Sequence, residues 1–154
     1  IRPHVVTTRY NLLSPLYRDD ETDIFDFARR HSVGVLIKQA LAQGLLLDRY
    51  HPDAPPTFSA ADHRSHNPQF RQDALTRLRQ RLAPIRARFG SSPTELARVA
   101  LRYALQHAPE AAVLVGFRSA AQIHTAVTCL GEPLREDELT AIRTALHPHT
   151  NRKA

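Results

Sequence analysis

The chain has 154 residues, of which 42% are hydrophobic and 23% are charged, as is typical of a soluble globular domain with its own core. Apolar runs such as Val33–Ile37 are far shorter than the roughly 20 residues that span a bilayer, and the first residues lack the pattern of a signal peptide. The single cysteine, Cys129, excludes an internal disulfide framework and fits a reducing compartment. From both observations we expect a cytoplasmic protein without membrane segments.

The net charge is +6, and the positive residues are mostly arginines. The densest cluster has Asp73 as its only acid and comprises Arg71, Arg77, Arg79, Arg81, Arg86 and Arg88. We interpret this cluster as a solvated helix face, with a phosphate-bearing small molecule or an acidic protein surface as alternatives. Nucleic acid is not expected as a partner, because no aromatic-interleaved basic motif or helix-turn-helix pattern accompanies the charge. Methionine is absent and Ile1 comes first, so we expect further residues upstream in the natural protein.

The first half of the chain predicts two strands, a helix and a long loop. Val5–Tyr10 is a short strand rich in β-branched residues, and Asn11–Pro15 breaks it. Asp19–Arg30 is predicted as a helix, because acids stand at its start and arginines at its end. Val33–Ile37 is a strand apolar enough for burial on both faces, which is typical of a parallel sheet. Leu47–Asn67 lacks periodicity, and a loop of this length is usually functional.

The second half predicts helix, helix, strand, helix and helix. Gly90 is expected to end the first of these helices, and the second opens with Ser92 as N-cap and Glu95 at N3, a capping box. The five segments are Pro68–Phe89, Ser92–His107, Ala112–Val115, Ala120–Leu130 and Arg135–Leu146. Residues 147–154 are expected to form a frayed basic tail.

Strands that alternate with helices predict right-handed βαβ units, a parallel sheet and hence an α/β fold. Three buried strands leave two open edges, which is too little sheet for a finished fold. We therefore expect additional strands from an upstream segment or from a second copy of the chain in a homo-oligomer.

Five motifs occur in order over nearly the whole chain. They are RYNLLS at Arg9–Ser14, GVLIKQALAQGLL at Gly34–Leu46, Phe58 with Asp62-His63-Arg64 and Phe70, GFRSAAQI at Gly116–Ile123, and PLREDEL at Pro133–Leu139. At these spacings they resemble strand six, strand seven, the following loop, strand eight and the final helix of the aldo-keto reductases. The resemblance implies a partial TIM (β/α)8 barrel, in which residues 1–146 carry the last three parallel strands with surrounding helices and a long loop.

The resemblance implies reduction of a small-molecule carbonyl substrate with a nicotinamide cofactor, usually NADPH, and without a metal. The tyrosine, lysine, aspartate and histidine that carry the family's chemistry come from the first half of the barrel. We therefore assign no catalytic residue here, place Tyr10 in the packing, and do not expect this chain alone to reduce a carbonyl.

The resemblance also implies that the cofactor side of the site lies in this chain. Arg118 and Ser119 directly follow strand eight, where a guanidinium, a hydroxyl and backbone N–H groups suit a phosphate. In the family this pair holds the 2′-phosphate of NADP. Leu41 and Gly44 belong to a turn whose N–H groups would face the pyrophosphate. Gln122 of the strand-eight motif is also assigned to the cofactor.

Four positions depart from the family pattern. Lys38 is a candidate cofactor residue, but it stands where an aromatic ring often stacks under the nicotinamide. Thr7 replaces a glutamine that contacts the nicotinamide amide, and Thr125 and Ala126 replace the Glu-Asn pair that grips the adenine. These changes weaken the retained cofactor site, so loss of NADP(H) binding is an alternative.

Two histidine pairs have local spacings that metal ligands can adopt. His63 and His66 fall within the family's loop motif, whereas His147 and His149 fall in the tail, and no cysteine cluster supports either pair. We therefore expect no metal site, and we expect Cys129 to be a core residue.

Three hypotheses for the function remain. The first is the cofactor-side part of an NADPH-dependent carbonyl oxidoreductase, completed by the missing barrel half. The second is a truncated family member whose pocket serves a non-redox task, such as cyclisation, dehydration or small-molecule binding. The third is a structural partner that completes the barrel of another chain.

Overall fold

The computed structural model describes residues 3–14, 23–108 and 111–147. Within these ranges, parallel strands alternate with α-helices, which confirms the α/β class. In chain order the elements are β1 (Val5–Arg9), α1 (Ile24–His31), β2 (Gly34–Lys38), three short 3-10 segments (Ala42–Leu47, His63–His66 and Pro68–Phe70), α2 (Gln72–Phe89), α3 (Pro93–His107), β3 (Ala111–Val113), α4 (Ala120–Thr128) and α5 (Glu136–Leu146).

The three strands form one parallel sheet in the order β1-β2-β3. Arg9 pairs with Lys38 across β1 and β2, and Leu36 pairs with Ala112 across β2 and β3. A parallel connection requires a long crossover, which the intervening helices provide. Within the described residues, β1 and β3 are therefore the two edges of the sheet.

The sheet has one covered face and one open face, because successive side chains of a strand point to opposite sides. On the covered face of β2, Val35 and Ile37 are buried. On the open face, Lys38 of β2 is exposed and so are Thr7 and Arg9 of β1. The prediction that Val33–Ile37 is buried on both faces holds in part, since Val33, Val35 and Ile37 are buried, whereas Gly34 and Leu36 on the open face are half-buried.

The covered face packs against helices in one hydrophobic cluster. Phe25 of α1, Val99 of α3 and Ile142 of α5 belong to this cluster, and each side chain is at most 1% exposed. Burial of such a side chain stabilises the fold by about 1.5–3 kcal/mol. Tyr10 and Cys129 are buried in the same cluster, as predicted.

The junction between α2 and α3 has the predicted capping residues. The hydroxyl of Ser92 accepts a hydrogen bond from the backbone N–H of Glu95 (3.2 Å), and the Glu95 carboxylate accepts one from the backbone N–H of Ser92 (3.2 Å). Gly90 ends α2 with φ of 94°, a conformation that glycine adopts without strain. A Cβ atom on Gly90 would also clash with the Glu95 carboxylate, so a larger residue would displace that side chain from its hydrogen bonds to Ser92.

Several element boundaries differ from the predicted ones. α1 begins at Ile24, with Asp23 as N-cap, and the predicted helical residues 19–22 lie outside the described residues. The predicted helix Pro68–Phe89 is divided, because Arg71 has an extended backbone between the 3-10 turn and α2. β3 lies earlier and is shorter than Ala112–Val115, since its pairing with β2 ends at Val113.

The arginine cluster on α2 is only partly a solvated face. Arg79 and Arg86 both approach the carboxylate of Asp48, at 3.4 and 3.7 Å, and the Arg86 side chain is 17% exposed. Arg81 donates a hydrogen bond to the carbonyl oxygen of Leu146 (2.9 Å). These contacts tie α2 to the segment after β2 and to the end of α5.

His147 is also part of the folded unit, although the predicted tail begins with it. Its side chain is buried, and its Nε2 lies 3.1 Å from the carbonyl oxygen of Leu12. Burial lowers the pKa of His147, so the imidazole is neutral in the fold. Residues 148–154 of the predicted tail, including His149, lie outside the described residues.

Candidate functional site

The candidate site lies where the carboxyl ends of the three parallel strands meet. β1 ends at Arg9, β2 at Lys38 and β3 at Val113. Because the strands are parallel, the segments that follow them emerge at the same edge of the sheet, which is where ligands bind in parallel α/β folds. All six candidate cofactor residues lie at this edge or in the segments directly after it, namely Lys38, Leu41, Gly44, Arg118, Ser119 and Gln122.

The segment after β2 is a compact turn with an unusual backbone. Gln39, Ala42, Gln43 and Gly44 all have positive φ, of 58°, 47°, 59° and 89°. Only the last of these is a glycine, and non-glycine residues in this region cost about 1–3 kcal/mol each unless surrounding contacts hold them. Such strained backbone is concentrated at functional sites in proteins.

Side chains from the long loop hold this turn in place. The Gln43 side chain lies 2.9 Å from Nε2 of His63 and accepts a hydrogen bond from the Asn67 amide (2.9 Å). The Tyr50 hydroxyl donates to the Gln43 carbonyl oxygen (3.4 Å), and the Tyr50 ring lies 3.5 Å from the position of a Cβ on Gly44. The loop therefore packs directly on the turn.

The side chains of the loop motif pack against one another and hold the loop on the turn. Phe58 and Phe70 pack edge to face at 4.9 Å, and the ring of Tyr50 contacts both. The Arg64 guanidinium lies 4.3 Å over the Phe58 ring and hydrogen-bonds the Asp62 carboxylate. These hydrogen bonds lower the pKa of Asp62. The motif that supported the family resemblance thus fixes the loop against the turn.

The segment after β3 places two candidate residues at the start of α4. Ser119 is the N-cap, and its hydroxyl accepts a hydrogen bond from the backbone N–H of Gln122 (3.4 Å). The Gln122 side chain accepts one from the backbone N–H of Arg118 (2.7 Å). Arg118 and Ser119 are exposed, whereas Gln122 is half-buried. Gln122 therefore shapes the turn that presents Arg118.

This helix start has the chemistry of an anion site. The first N–H groups of a helix have no partner within it, and the helix dipole adds positive potential at the same point. A guanidinium beside these groups provides further donors in a planar fork. The arrangement could hold a phosphate.

Three of the positions that depart from the family pattern are Thr125, Ala126 and Thr7. The Thr125 hydroxyl donates to the carbonyl oxygen of Ala121 in its own helix (2.9 Å). Ala126 packs partly against the core, and Thr7 is exposed on the open face of the sheet.

Tyr10 lies close to the site, and its side chain is buried in the core. Its ring is 2% exposed and stacks between Tyr103, at 5.8 Å, and His107, at 4.2 Å. Burial raises the pKa of the Tyr10 hydroxyl, and the neighbouring Tyr103 adds to this effect, so the hydroxyl retains its proton. The packing role expected for Tyr10 agrees with this environment.

A cleft of about 1090 Å³ opens beside the carboxyl ends of β1 and β2. It is bordered by the end of β1 with the segment after it, the turn after β2, the end of the long loop and the first half of α2. Tyr10 lines it together with the polar residues Arg9, Asn11, Ser14, Gln39, Gln43, Asn67, Gln69, Arg77 and Arg81, and no Asp or Glu of the described residues lines it. The sequence alone did not reveal this cleft, because its walls come from four separate segments.

No group of three or more His, Cys, Asp or Glu side chains that could hold a metal ion occurs among the residues that the structure describes. Within the same residues, no helix has both the length and the apolar character that crossing a membrane requires.

Comparison with solved structures gives strong matches over most of the chain. The glycerol dehydrogenase AKR11B4 from Gluconobacter oxydans matches with a TM-score of 0.71 and 26% identity, over 97% of this chain and 44% of that one. The aldo-keto reductase AKR11C1 from Bacillus halodurans matches in its holo form with a TM-score of 0.54 and 24% identity, over 92% of this chain and 42% of that one. The second match shows likeness of fold alone.

This chain thus spans less than half the length of the solved structures that it resembles. Comparison with curated proteins gives no match. The sequence model of the aldo/keto reductase family, however, matches residues 1–147, which is almost the whole chain. The chain therefore belongs to the aldo/keto reductase family.

Proposed function

We propose that this chain forms the cofactor side of an NADP(H)-dependent carbonyl oxidoreductase. The observation that carries the proposal is the start of α4, where the exposed Arg118 adjoins Ser119 and the positive end of the helix dipole. A phosphate at this point would gain charge-assisted hydrogen bonds from the guanidinium and the backbone. The 2′-phosphate that distinguishes NADP from NAD fits this set of donors.

The turn after β2 would hold the pyrophosphate. Its backbone has positive φ at Ala42, Gln43 and Gly44, and the absence of a side chain on Gly44 would let a phosphate group approach the turn closely. Leu41 begins this turn, and its carbonyl oxygen accepts the hydrogen bond from Gly44 (2.9 Å) that closes it. Lys38 precedes the turn and would lie towards the nicotinamide, which when bound supplies the hydride for carbonyl reduction.

Reduction also requires a proton donor, which the proposal places outside this chain. Tyr10 retains its proton in the core, and the family's catalytic tyrosine comes from an earlier strand of the barrel. We infer that additional strands complete a barrel at the edges β1 and β3. Leu114, Phe117 and Val127, all at least 50% exposed, lie beside β3 and support a neighbour there. The chain alone should therefore bind NADPH without reducing a carbonyl.

Titration of NADPH fluorescence with the full chain tests this proposal. The wild-type chain should bind NADPH at micromolar to millimolar concentration, and Arg118→Gln should weaken binding by about tenfold or more, as expected for loss of a charge-assisted hydrogen bond. Arg49→Gln is the matched control, because Arg49 is exposed and does not belong to the proposed site. Absence of NADPH binding at millimolar concentration would exclude the redox role.

A second candidate function is a non-redox task of the same pocket. The observation in its favour is that Thr125 and Ala126 supply no carboxylate or amide to grip an adenine, and that the Thr125 hydroxyl instead donates to the carbonyl oxygen of Ala121. A pocket of this kind would bind a phosphate without an adenosine. Inorganic pyrophosphate that bound as tightly as NADPH would favour this function, whereas much tighter binding of NADPH would favour the cofactor role.

Size measurements in solution test the completion of the sheet. We expect the isolated chain to associate through the β3 edge, as a dimer or larger assembly, when no other polypeptide covers it. Val127→Lys should reduce this association, because Val127 is 59% exposed on α4. A wild-type chain that stayed monomeric at high concentration would contradict the inferred open edges.

A further inference from the structure

Two cations lie side by side at the carboxyl edge of the open sheet face. Arg9 and Lys38 are the last residues of β1 and β2, and they are direct register partners. Neighbouring strands are about 4.8 Å apart, and paired residues point to the same face. Both side chains are exposed, and neither forms an ion pair within the described residues. Like charges in this arrangement repel each other and destabilise the strand pair.

The surroundings strengthen this positive potential. Arg9 also lines the cleft of about 1090 Å³, together with Arg77 and Arg81 of α2. Asp73 pairs with Arg77 at 2.8 Å, but it does not line the cleft, and none of the described residues that do is an acid. A cleft lined by charges of one sign concentrates ligands of the opposite sign.

Exposure to solvent at a strand end accounts for either Arg9 or Lys38 alone, but not for two like charges at paired positions. The two residues occupy the edge at which ligands of parallel α/β folds bind. The half-buried Leu36 and its register partner, the exposed Ala112, lie on the same open face, so the cations border a less polar surface. Such a surface suits a small molecule with a carbon body and one anionic end.

We propose that Arg9 and Lys38 together bind an oxyanion, a carboxylate or phosphate, of the substrate that reacts at this edge of the sheet. Arg9 would contribute a planar fork of N–H donors and Lys38 a mobile point charge. The identification of the ligand as a carbonyl substrate rests on the proposed reductase function, but the anion site itself does not. It is separate from the start of α4, where Arg118 would hold the cofactor phosphate.

Calorimetric titration of the full chain with malonate tests the anion site, since malonate is a small dicarboxylate without an adenosine. Malonamide, which is neutral and similar in shape, is the control ligand. The wild-type chain should bind malonate and not malonamide. Arg9→Gln and Lys38→Gln should each weaken malonate binding by about tenfold or more. Arg9→Lys should retain most of the affinity for malonate, because it keeps the positive charge. The same variant is a control for folding of the strand.

Two further variants decide whether the effect is local. Arg49→Gln removes an exposed charge elsewhere, and Arg118→Gln removes the proposed cofactor contact, so neither should change malonate binding. The proposal is overturned if the Arg118→Gln chain binds neither malonate nor inorganic phosphate at millimolar concentration, if Arg9→Gln leaves binding unchanged, or if Arg49→Gln weakens it equally. Comparison of malonate with inorganic phosphate identifies the preferred oxyanion.

NADPH titration separates this inference from the proposed function. Arg9→Gln should leave NADPH binding nearly unchanged, whereas Arg118→Gln should weaken it. If NADPH does not bind but malonate still depends on Arg9 and Lys38, the cofactor role fails and the anion site stands. If NADPH binds and malonate binding does not depend on these residues, the anion site fails alone.

Discussion

Substitution of Gly90 by alanine tests how the junction between α2 and α3 is built. Gly90 has φ of 94°, and a Cβ there would lie 2.2 Å from Oε2 and 2.5 Å from Cδ of Glu95. The backbone strain costs about 1–3 kcal/mol. Glu95 can move away only by giving up its hydrogen bonds to Ser92, which adds about 0.5–2 kcal/mol as the loss of a helix cap does. We therefore expect Gly90→Ala to lower the free energy of unfolding by roughly 1.5–5 kcal/mol.

Urea denaturation followed by circular dichroism measures this loss, with Gly131→Ala as the matched control. A Cβ on Gly131 would lie 3.6 Å from the carbonyl oxygen of Thr128, an ordinary contact, so its effect should stay within about 0.5 kcal/mol. In the Glu95→Ala background the clash is absent, so Gly90→Ala should cost less there than in the wild-type chain. Equal costs in both backgrounds, or a cost as small as that of Gly131→Ala, would refute this reasoning.

Three other changes test the core, the buried histidine and the loop. Ile142→Ala should lower the free energy of unfolding in urea by about 2–5 kcal/mol, because the side chain is fully buried. Ile123→Ala, at a position 41% exposed, should lower it by less than about 0.5 kcal/mol. Similar losses for the two variants would contradict the assigned packing. Burial lowers the pKa of His147, so the unfolded chain takes up a proton before the folded one does. Stability should therefore be steady above the ordinary histidine pKa of 6.5 and fall as the pH drops below it, and His147→Gln should reduce that fall in a series of denaturation curves. Asp62→Asn should speed proteolysis within residues 47–67, because it removes the ion pair with Arg64 that holds the loop; an unchanged cleavage rate would show that the aromatic contacts suffice.

The local signals in the sequence were sufficient for the elements and for most of their ends. Ser92 and Glu95 form the predicted capping box, and β-branched and apolar runs mark β1 and β2. The end of β3 was less predictable, because strand length depends on where β2 stops pairing. The apolar character of Val33–Ile37 predicted burial on both faces, and the structure buries one face fully and the other by half, because apolar character shows what a strand can bury and not which part of the fold covers it.

The candidate site was predictable as a set of segments but not as a geometry. The motifs pointed to Arg118, Ser119 and the turn at Gly44, and the structure puts each at the carboxyl edge of the sheet. The positive φ values at Ala42 and Gln43 carry no sequence signal, since residues other than glycine occupy them. The cleft and the Arg9–Lys38 pair depend on strand register, which follows from long-range packing.

Long-range ion pairs were missed for the same reason. The arginines of α2 read as a solvated face because their partner, Asp48, lies far away along the chain. His147 was predicted to belong to the tail, because the carbonyl oxygen of Leu12 that it contacts comes from near the other end of the chain. In both cases, tertiary contacts supplied partners that composition and periodicity do not encode.

The preference between NADPH and NADH tests the central claim most directly, because the two cofactors differ only in the 2′-phosphate that Arg118 and Ser119 would hold. Dissociation constants for both, measured by fluorescence titration, should show NADPH binding about tenfold or more tightly to the wild-type chain. In Arg118→Gln this preference should disappear while NADH binding stays unchanged. The claim would be contradicted if the wild-type chain bound both cofactors equally, or if the preference for NADPH survived the loss of Arg118.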